Sequence, residues 1–355
     1  MIPYYIFILV LILCVFAEDA SSSTKWKKHI FTLALFPYFI LLAFKSPIVG
    51  ADTMNYFRSF AAMSSYGFSD IYNFSEFGYE RIEKGYILYI WLLSRISSDG
   101  QILLIATTLI NTTAIYYFIK KNAKKCCLAL FFLVTLGFFQ FAMSGIRQTL
   151  AISIVLLGYG YLRDRKLIKF SIVVVVAMLF HKSAIFFFPA YFVAGMKLNR
   201  MNIGLALVST VVIYFVTGDA LLTAADVLEY DYGIESTGNG YIFFVAVLLI
   251  TLLSIINRKR LIMANENNSI PIKLNLISLA IWTMRLVSRT AERITLYYMP
   301  YTYITLEQFI LTRKKEERSI LLIGTILLCS YLCLRRLNLQ EDLNNYIFFI
   351  EVSTW

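Results

Sequence analysis

Arginine recurs at every fourth position in MRLVSRTAERITLYYMP, so Arg285, Arg289 and Arg293 would share one face of a continuing helix. Three guanidinium groups stacked in this way repel one another unless an anion lies among them, and each offers a planar fork of donors that suits phosphate oxygens. Arg147 stands alone at the start of an apolar run in SGIRQTLA, and His181 with Lys182 ends another in LFHKSAIFFFPAY. A cation at a membrane boundary is costly unless it is paired or faces a wet cavity. Read as a site, Arg147 and the triplet hold a pyrophosphate. The blander reading is snorkelling to lipid phosphates, or pairing with Glu292 or an acidic loop. Asp52, in SPIVGADTMNYFRSF, is placed to take a proton from a hydroxyl as a general base, or simply to cap a helix starting at Thr53. Glu76 and Glu80 are further acidic candidates, with a solvated helix face as the alternative and Glu80, Glu83 and Lys84 pairing locally. His181 reads as a positioning or acid/base residue, or as a hydrogen-bonded boundary residue. Glu307 is an acid inside an apolar run at the wrong depth for this site, and a basic partner on a neighbouring helix is expected for it.

The elements that must position these residues are membrane helices. The 355-residue chain is 59% hydrophobic and only 15% charged, with a mean hydropathy of +0.68, against roughly 25% charged residues in soluble domains. Its apolar runs are long enough for a bilayer core of about 30 Å. The net charge of +11 does not point to nucleic acid, because 21 of the 33 Lys and Arg sit in six short segments between apolar runs. Those segments are Lys25–His29, Lys120–Lys125, Arg163–Lys169, Lys197–Arg200, Arg258–Lys273 and Arg313–Arg318. This is the asymmetry of cytoplasmic loops. The fold class expected is all-α and polytopic, a single integral membrane domain over 1–355 with about twelve spans: 2–17, 30–45, 101–119, 126–143, 147–162, 168–180, 184–196, 202–217, 240–256, 273–288, 294–312 and 319–335. Both termini then lie outside the cytoplasm, and 2–17 reads as a retained first span. Residues 46–100 form a large first periplasmic loop. Within it Gly85–Ile96 is expected to lie on the outer leaflet, anchored at the headgroups by Tyr86, Tyr89 and Trp91. Residues 218–240 form a second, acidic periplasmic loop, and 337–355 an amphipathic tail at the interface. The five cysteines show no metal-ligand spacing, with Cys329 and Cys333 expected to pack, and neither a DxD-type motif nor a P-loop calls for a nucleotide sugar or soluble cofactor.

The ordered series VGADTMNYF, FGYERIEKGY, SGIRQTLAISI, FHKSAIFFFPAY and SRTAERITLYYMPY resembles the EpsG family of membrane polysaccharide proteins, which includes Wzy-type O-antigen and exopolysaccharide polymerases. The resemblance implies a GT-C-like fold, with an acidic residue just after the span that precedes a large outer loop. That pattern falls on Asp52 and Gly85–Ile96, and the family's basic motifs on Arg147, His181, Arg289 and Arg293. The extra N-terminal span departs from it. It further implies an inner-membrane enzyme facing the periplasm, without cofactor, whose substrate is an undecaprenyl-pyrophosphate-linked oligosaccharide. Membrane lipids, a chain-length regulator and a flippase are its expected partners. A lipid-linked oligosaccharide flippase and an O-antigen ligase are the rival readings. The flippase would want charges along a mid-membrane path and a two-half repeat, and a membrane acyltransferase would want companions for His181.

Overall fold

The structure, a computed structural model, describes residues 1–68, 82–228, 240–287 and 290–352. Among them every named element is helical. Pro3 in the first turn of α1 (Ile2–Ala20) has a fixed φ suited to a helix start. The Ser23 side chain accepts the Trp26 N–H to begin α2 (Thr24–Ala43). Two short helices follow in the first loop, α3 (Thr53–Ser64) and α4 (Lys84–Ser94), then the long α5 (Gln101–Asn122). Gly137, in the left-handed region at φ 103°, breaks the next apolar run into α6 (Cys126–Thr135) and α7 (Phe138–Ser144), inclined by 58°. The chain continues through α8 (Ile146–Leu157), α9 (Tyr159–Arg163), α10 (Leu167–Met178), a 3-10 turn (Lys182–Phe187) and α11 (Ala190–Gly195). It is completed by α12 (Arg200–Leu228), α13 (Gly240–Ile256), α14 (Arg258–Ala264), α15 (Ser269–Arg285), α16 (Thr290–Thr295), α17 (Met299–Leu311), α18 (Lys315–Leu339) and α19 (Glu341–Asn344).

Among the described residues, four helices are long and apolar enough to cross a membrane, or six if each bent pair counts as one span. The sequence reading of about twelve is not reached by length and composition. Several apolar runs are half-height pieces: α8 and α10 have 12 residues each, about 18 Å at the helical rise, where a bilayer core needs about 30 Å. The chain is a multi-pass helical membrane protein whose core is one large apolar cluster, with a smaller one where α3 and α4 pack on α5 and α8.

Three expectations change. Tyr86 and Tyr89 are not headgroup anchors: Tyr86 is fully buried, Tyr89 bonds Thr107, and the Trp91 Nε1–H bonds the Tyr66 C=O beneath Arg95. The cause is that α4 turns its aromatic face onto α3 and α5. The expected loop 218–240 starts late, because α12 runs on through Leu228, where the stretch ALLTAADVL contains strong helix formers; residues 229–239 lie outside those described. The tail folds onto the protein instead of lying flat at the interface. Leu343 and Tyr346 are buried, Ser46 N–H bonds Ile347 C=O, and Phe349 N–H bonds Phe44 C=O.

The bundle has two chemically distinct ends. At the start of α1 the terminal ammonium bonds the Asn344 C=O, beside the tail and the Asp52 loop. At its other end, about 28 Å away at the ordinary rise, Asp19 pairs with Lys125 at 2.9 Å and Arg318 at 2.5 Å. Lys125 and Arg318 belong to two of the six basic segments, while Asp52 lies at the opposite end.

Candidate functional site

Asp52 follows α2 at the head of α3 and stands where a helix cap would stand, yet its side chain makes no capping bond. It is 42% exposed, and its Oδ2 lies 4.0 Å from the Arg293 guanidinium. The loop that carries it is fastened from behind by the tail. Gly50 N–H bonds the Asp342 C=O at 2.9 Å, and Ala51 N–H bonds the Asp342 carboxylate at 2.8 Å. Beneath it, the buried Lys45 Nζ donates to Val49 C=O at 2.6 Å and Thr53 Oγ1 at 2.5 Å.

Glu83, at the start of α4, is the polar centre of the site. One oxygen accepts from Arg147 at 2.6 Å and the other from the Lys182 backbone N–H at 3.0 Å. Gly85 makes this possible: a Cβ there would sit 2.6 Å from Leu179, so only glycine lets the first turn of α4 press on the end of α10, where Tyr86 N–H bonds Leu179 C=O. Arg147, in the first turn of α8, also lies within hydrogen-bonding reach of the Tyr56 hydroxyl on α3. The adjacent Gln148 donates to the Arg293 C=O at 2.6 Å. Five segments far apart in sequence therefore converge on one spot.

His181 caps the 3-10 turn. Its Nδ1 accepts from Ser183 N–H at 3.3 Å and lies 2.6 Å from Ser183 Oγ, which in turn is 3.1 Å from Tyr297 OH. A backbone N–H can only donate, so Nδ1 is bare and the ring proton sits on Nε2. Burial, helped by the Arg147 and Arg293 charges, pulls His181 down to about 3. It is therefore a neutral hydrogen-bond donor at ordinary pH and not a stored proton.

The arginine triplet does not stay on one helix. α15 ends at Arg285 in a tight turn in which Leu286 and Val287 N–H bond Thr283 and Met284 C=O, and α16 begins at Thr290. Of the described arginines of the triplet, Arg293 is the one paired with Asp52. Arg285 is 4% exposed and holds Glu292 at 2.8 Å, so the pairing alternative holds for it. Glu292 is also held by Arg336 from α18 at 2.9 Å. Burial raises the Glu292 carboxyl, but the two guanidinium groups outweigh it and hold the group below the usual range. Arg289, Glu76 and Glu80 lie outside the described residues. Lys182 contributes its backbone amide, and its side chain points to the exterior. Among the described residues no ion pair reaches Glu307: it accepts the Lys124 and Lys125 backbone N–H groups at the start of α6, at the far end.

Sequence reading missed Glu83, Tyr56, Ser183, Tyr297, Arg336 and Asp342 as parts of this site. Glu83 was weighed only as a local surface partner. The signal for it was Gly85 two residues on, which marks a close backbone approach. Asp342 lies nearly 300 residues from its partner Ala51, and Arg336 lies on a different helix from its partner Glu292, so no local spacing could have exposed them.

Neither the curated proteins nor the solved structures hold a match to this chain. The EpsG family model matches residues 28–349, from within α2 into the tail that braces Asp52. The chain belongs to the EpsG family of exopolysaccharide- and O-antigen-polymerase-like membrane proteins.

Proposed function

We propose that this protein is a Wzy-type repeat-unit polymerase of a bacterial inner membrane, working on its periplasmic side with a GT-C-like arrangement of membrane helices. The donor is a glycan on undecaprenyl pyrophosphate, and the acceptor is the terminal sugar of a second lipid-linked unit. The observation that carries this reading is the convergence of Asp52, Arg293, Arg147 and His181, from four separate helical segments, at one end of an apolar bundle.

The acceptor hydroxyl attacks the donor's anomeric carbon. A new carbon–oxygen bond forms, the bond to pyrophosphate breaks, and the electron pair leaves with the lipid pyrophosphate. Asp52 takes the hydroxyl proton, since its carboxylate keeps acceptor capacity that no capping bond consumes. Arg147 and Arg293 stabilise the charge growing on the leaving group, with Arg289 completing the cationic set. His181 adds a neutral Nε2–H donor to the same oxygens. Glu83 and the Ser183–Tyr297 pair act through others, fixing the Arg147 fork and the His181 ring. Arg285 supports from within, by holding Glu292 beside Arg293.

The test is the surface-polysaccharide ladder of cells lacking the gene, complemented with wild type, Asp52→Asn, Arg147→Met or Arg293→Ala. A null strain that keeps one repeat unit on its lipid and loses the ladder is a polymerase phenotype. Point variants at normal membrane abundance should behave like the null. Loss of the one-unit band as well would transfer the assignment to a flippase or ligase, and an unchanged ladder would remove all three.

A further inference from the structure

At the end away from Asp52 there is a cleft of about 620 Å³ between the last turn of α5, the end of α8, and α9. Its size is that of a ligand site. Lys120 and Lys121 edge it, and the floor is Gly160, where an added Cβ would meet nothing within 4 Å except Lys121 Nζ at 3.8 Å. Lys120 Nζ lies over the Tyr116 ring and 3.1 Å from its hydroxyl, so it is held in place. Among the described residues no ion pair reaches either lysine. The one acid lining the cleft, Asp164, is engaged by Arg163 at 2.9 Å and Lys166 at 4.0 Å. Lys169 lies over the Tyr161 ring nearby. Positive charge is therefore in excess.

Lysines in the last turn of a helix complement its dipole, and that accounts for the charge but not for the cavity. The side wall shows what shape of ligand fits. Tyr117 is 58% exposed, Leu157 51% and Tyr161 38%, so apolar surface runs out of the cleft. α5 is also one of the four helices able to cross a bilayer, which puts its last turn at a membrane boundary. A ligand that satisfies both walls has a negative head and an apolar body.

We infer that the Lys120–Lys121 cleft binds the phosphodiester headgroup of an anionic phospholipid, with the acyl chains leaving past Tyr117 and Leu157. Two lysines bracket the phosphate, the Gly160 floor admits the glycerol, and the tyrosines sit at headgroup level. The site lies at the opposite end from the proposed chemistry and does not depend on it.

The experiment is native mass spectrometry of the full chain from detergent, titrated with phosphatidylglycerol or with phosphatidylcholine of the same acyl chains. Wild type should retain one phosphatidylglycerol with a preference of roughly thirtyfold, each lysine contributing a factor of about five. Lys120→Gln with Lys121→Gln should abolish the preference, and Lys120→Arg with Lys121→Arg should keep it, which separates charge from folding. Gly160→Leu should weaken retention by filling the floor. Equal retention of both lipids by wild type overturns the inference, as does a preference untouched by the glutamine pair. Displacement of the lipid by millimolar inorganic phosphate also overturns it, in favour of a soluble anion.

Discussion

Arg147→Met should cost this protein more stability than Glu83→Gln, although the two residues share one ion pair. The contact is short, 2.6 Å, and unequally buried: 5% of the Glu83 side chain is exposed against 25% of Arg147. Methionine keeps the apolar stem of Arg147 and removes only the guanidinium. Glu83 is then left with the Lys182 N–H alone, a buried carboxylate without its counter-charge, and breaking a buried pair in this way costs about 3–5 kcal/mol. Glutamine at 83 has a single oxygen, which can stay with Arg147 while its NH2 turns toward the Lys182 N–H and loses that bond; Arg147 also retains Tyr56 and a quarter of its surface to water. The loss there is about 1–3 kcal/mol, the scale of one lost charge-assisted hydrogen bond. The double variant should be more stable than Arg147→Met alone, because no uncompensated charge remains. Equilibrium unfolding of the four proteins in mixed micelles measures all three differences. Equal single losses, or losses that simply add, would refute the role given to Glu83 as the buried anchor of the site.

Asp342→Ala removes the nearer acceptor of Ala51 N–H and leaves Ser144 Oγ at 3.2 Å; a loss of about 0.5–1.5 kcal/mol is expected, with a shortened polysaccharide ladder at normal abundance, and a full ladder would separate the tail from Asp52. His181, drawn down by burial from its ordinary 6.5 to about 3, should leave no step in the activity profile between pH 5 and 8. The unfolded chain binds the extra proton, so the His181 contribution to stability is complete above the unfolded value and falls as pH drops from 6.5 toward about 3. His181→Gln, which keeps a donor, should melt with a shallower acid dependence than wild type, and an unchanged slope would contradict the assignment. Gly137→Ala should destabilise by about 1–2 kcal/mol for its left-handed backbone, and the new Cβ at 2.9 Å from Arg336 should loosen Arg336 from Glu292. A melting temperature equal to wild type would count against both.

What was legible in the sequence was whatever composition and local spacing encode. The all-helical membrane class followed from apolar content, and the far end was legible in its basic segments, two of which meet at Asp19. Asp52, Arg147, His181 and Arg293 were picked out as polar residues at the ends of apolar runs, and they do lie together. The expected single helix for Arg285 and Arg293 failed because periodicity assumes a continuous helix, and the turn at Leu286–Val287 breaks it in a stretch with neither Gly nor Pro to announce the break. The span count diverged for a related reason: hydropathy registers an apolar run whether it crosses a bilayer or folds as a half-height piece such as α10. Asp342 was illegible because its partner is set by tertiary packing alone, and Glu83 was marked only indirectly, by the close approach at Gly85.

The case for Asp52 as the base rests on which acids still have capacity to accept a proton. Glu83 is filled by Arg147 and Lys182 N–H, and Glu292 by two arginines. Asp342 is turned to Ala51 N–H. At the far end Glu307 and Glu18 are buried among the N–H groups that open α6. Each of these carboxylates holds backbone or guanidinium groups in place, and protonating one would release part of the fold. Asp52 is different: it is 42% exposed, makes no capping bond, and faces Arg293 only at 4.0 Å. A base must gain and lose a proton in every cycle without loosening its surroundings. At this end the exposed Glu341 shares that freedom, but Asp52 is the one paired with Arg293, and the Asp342 and Lys45 contacts behind it keep its loop fixed.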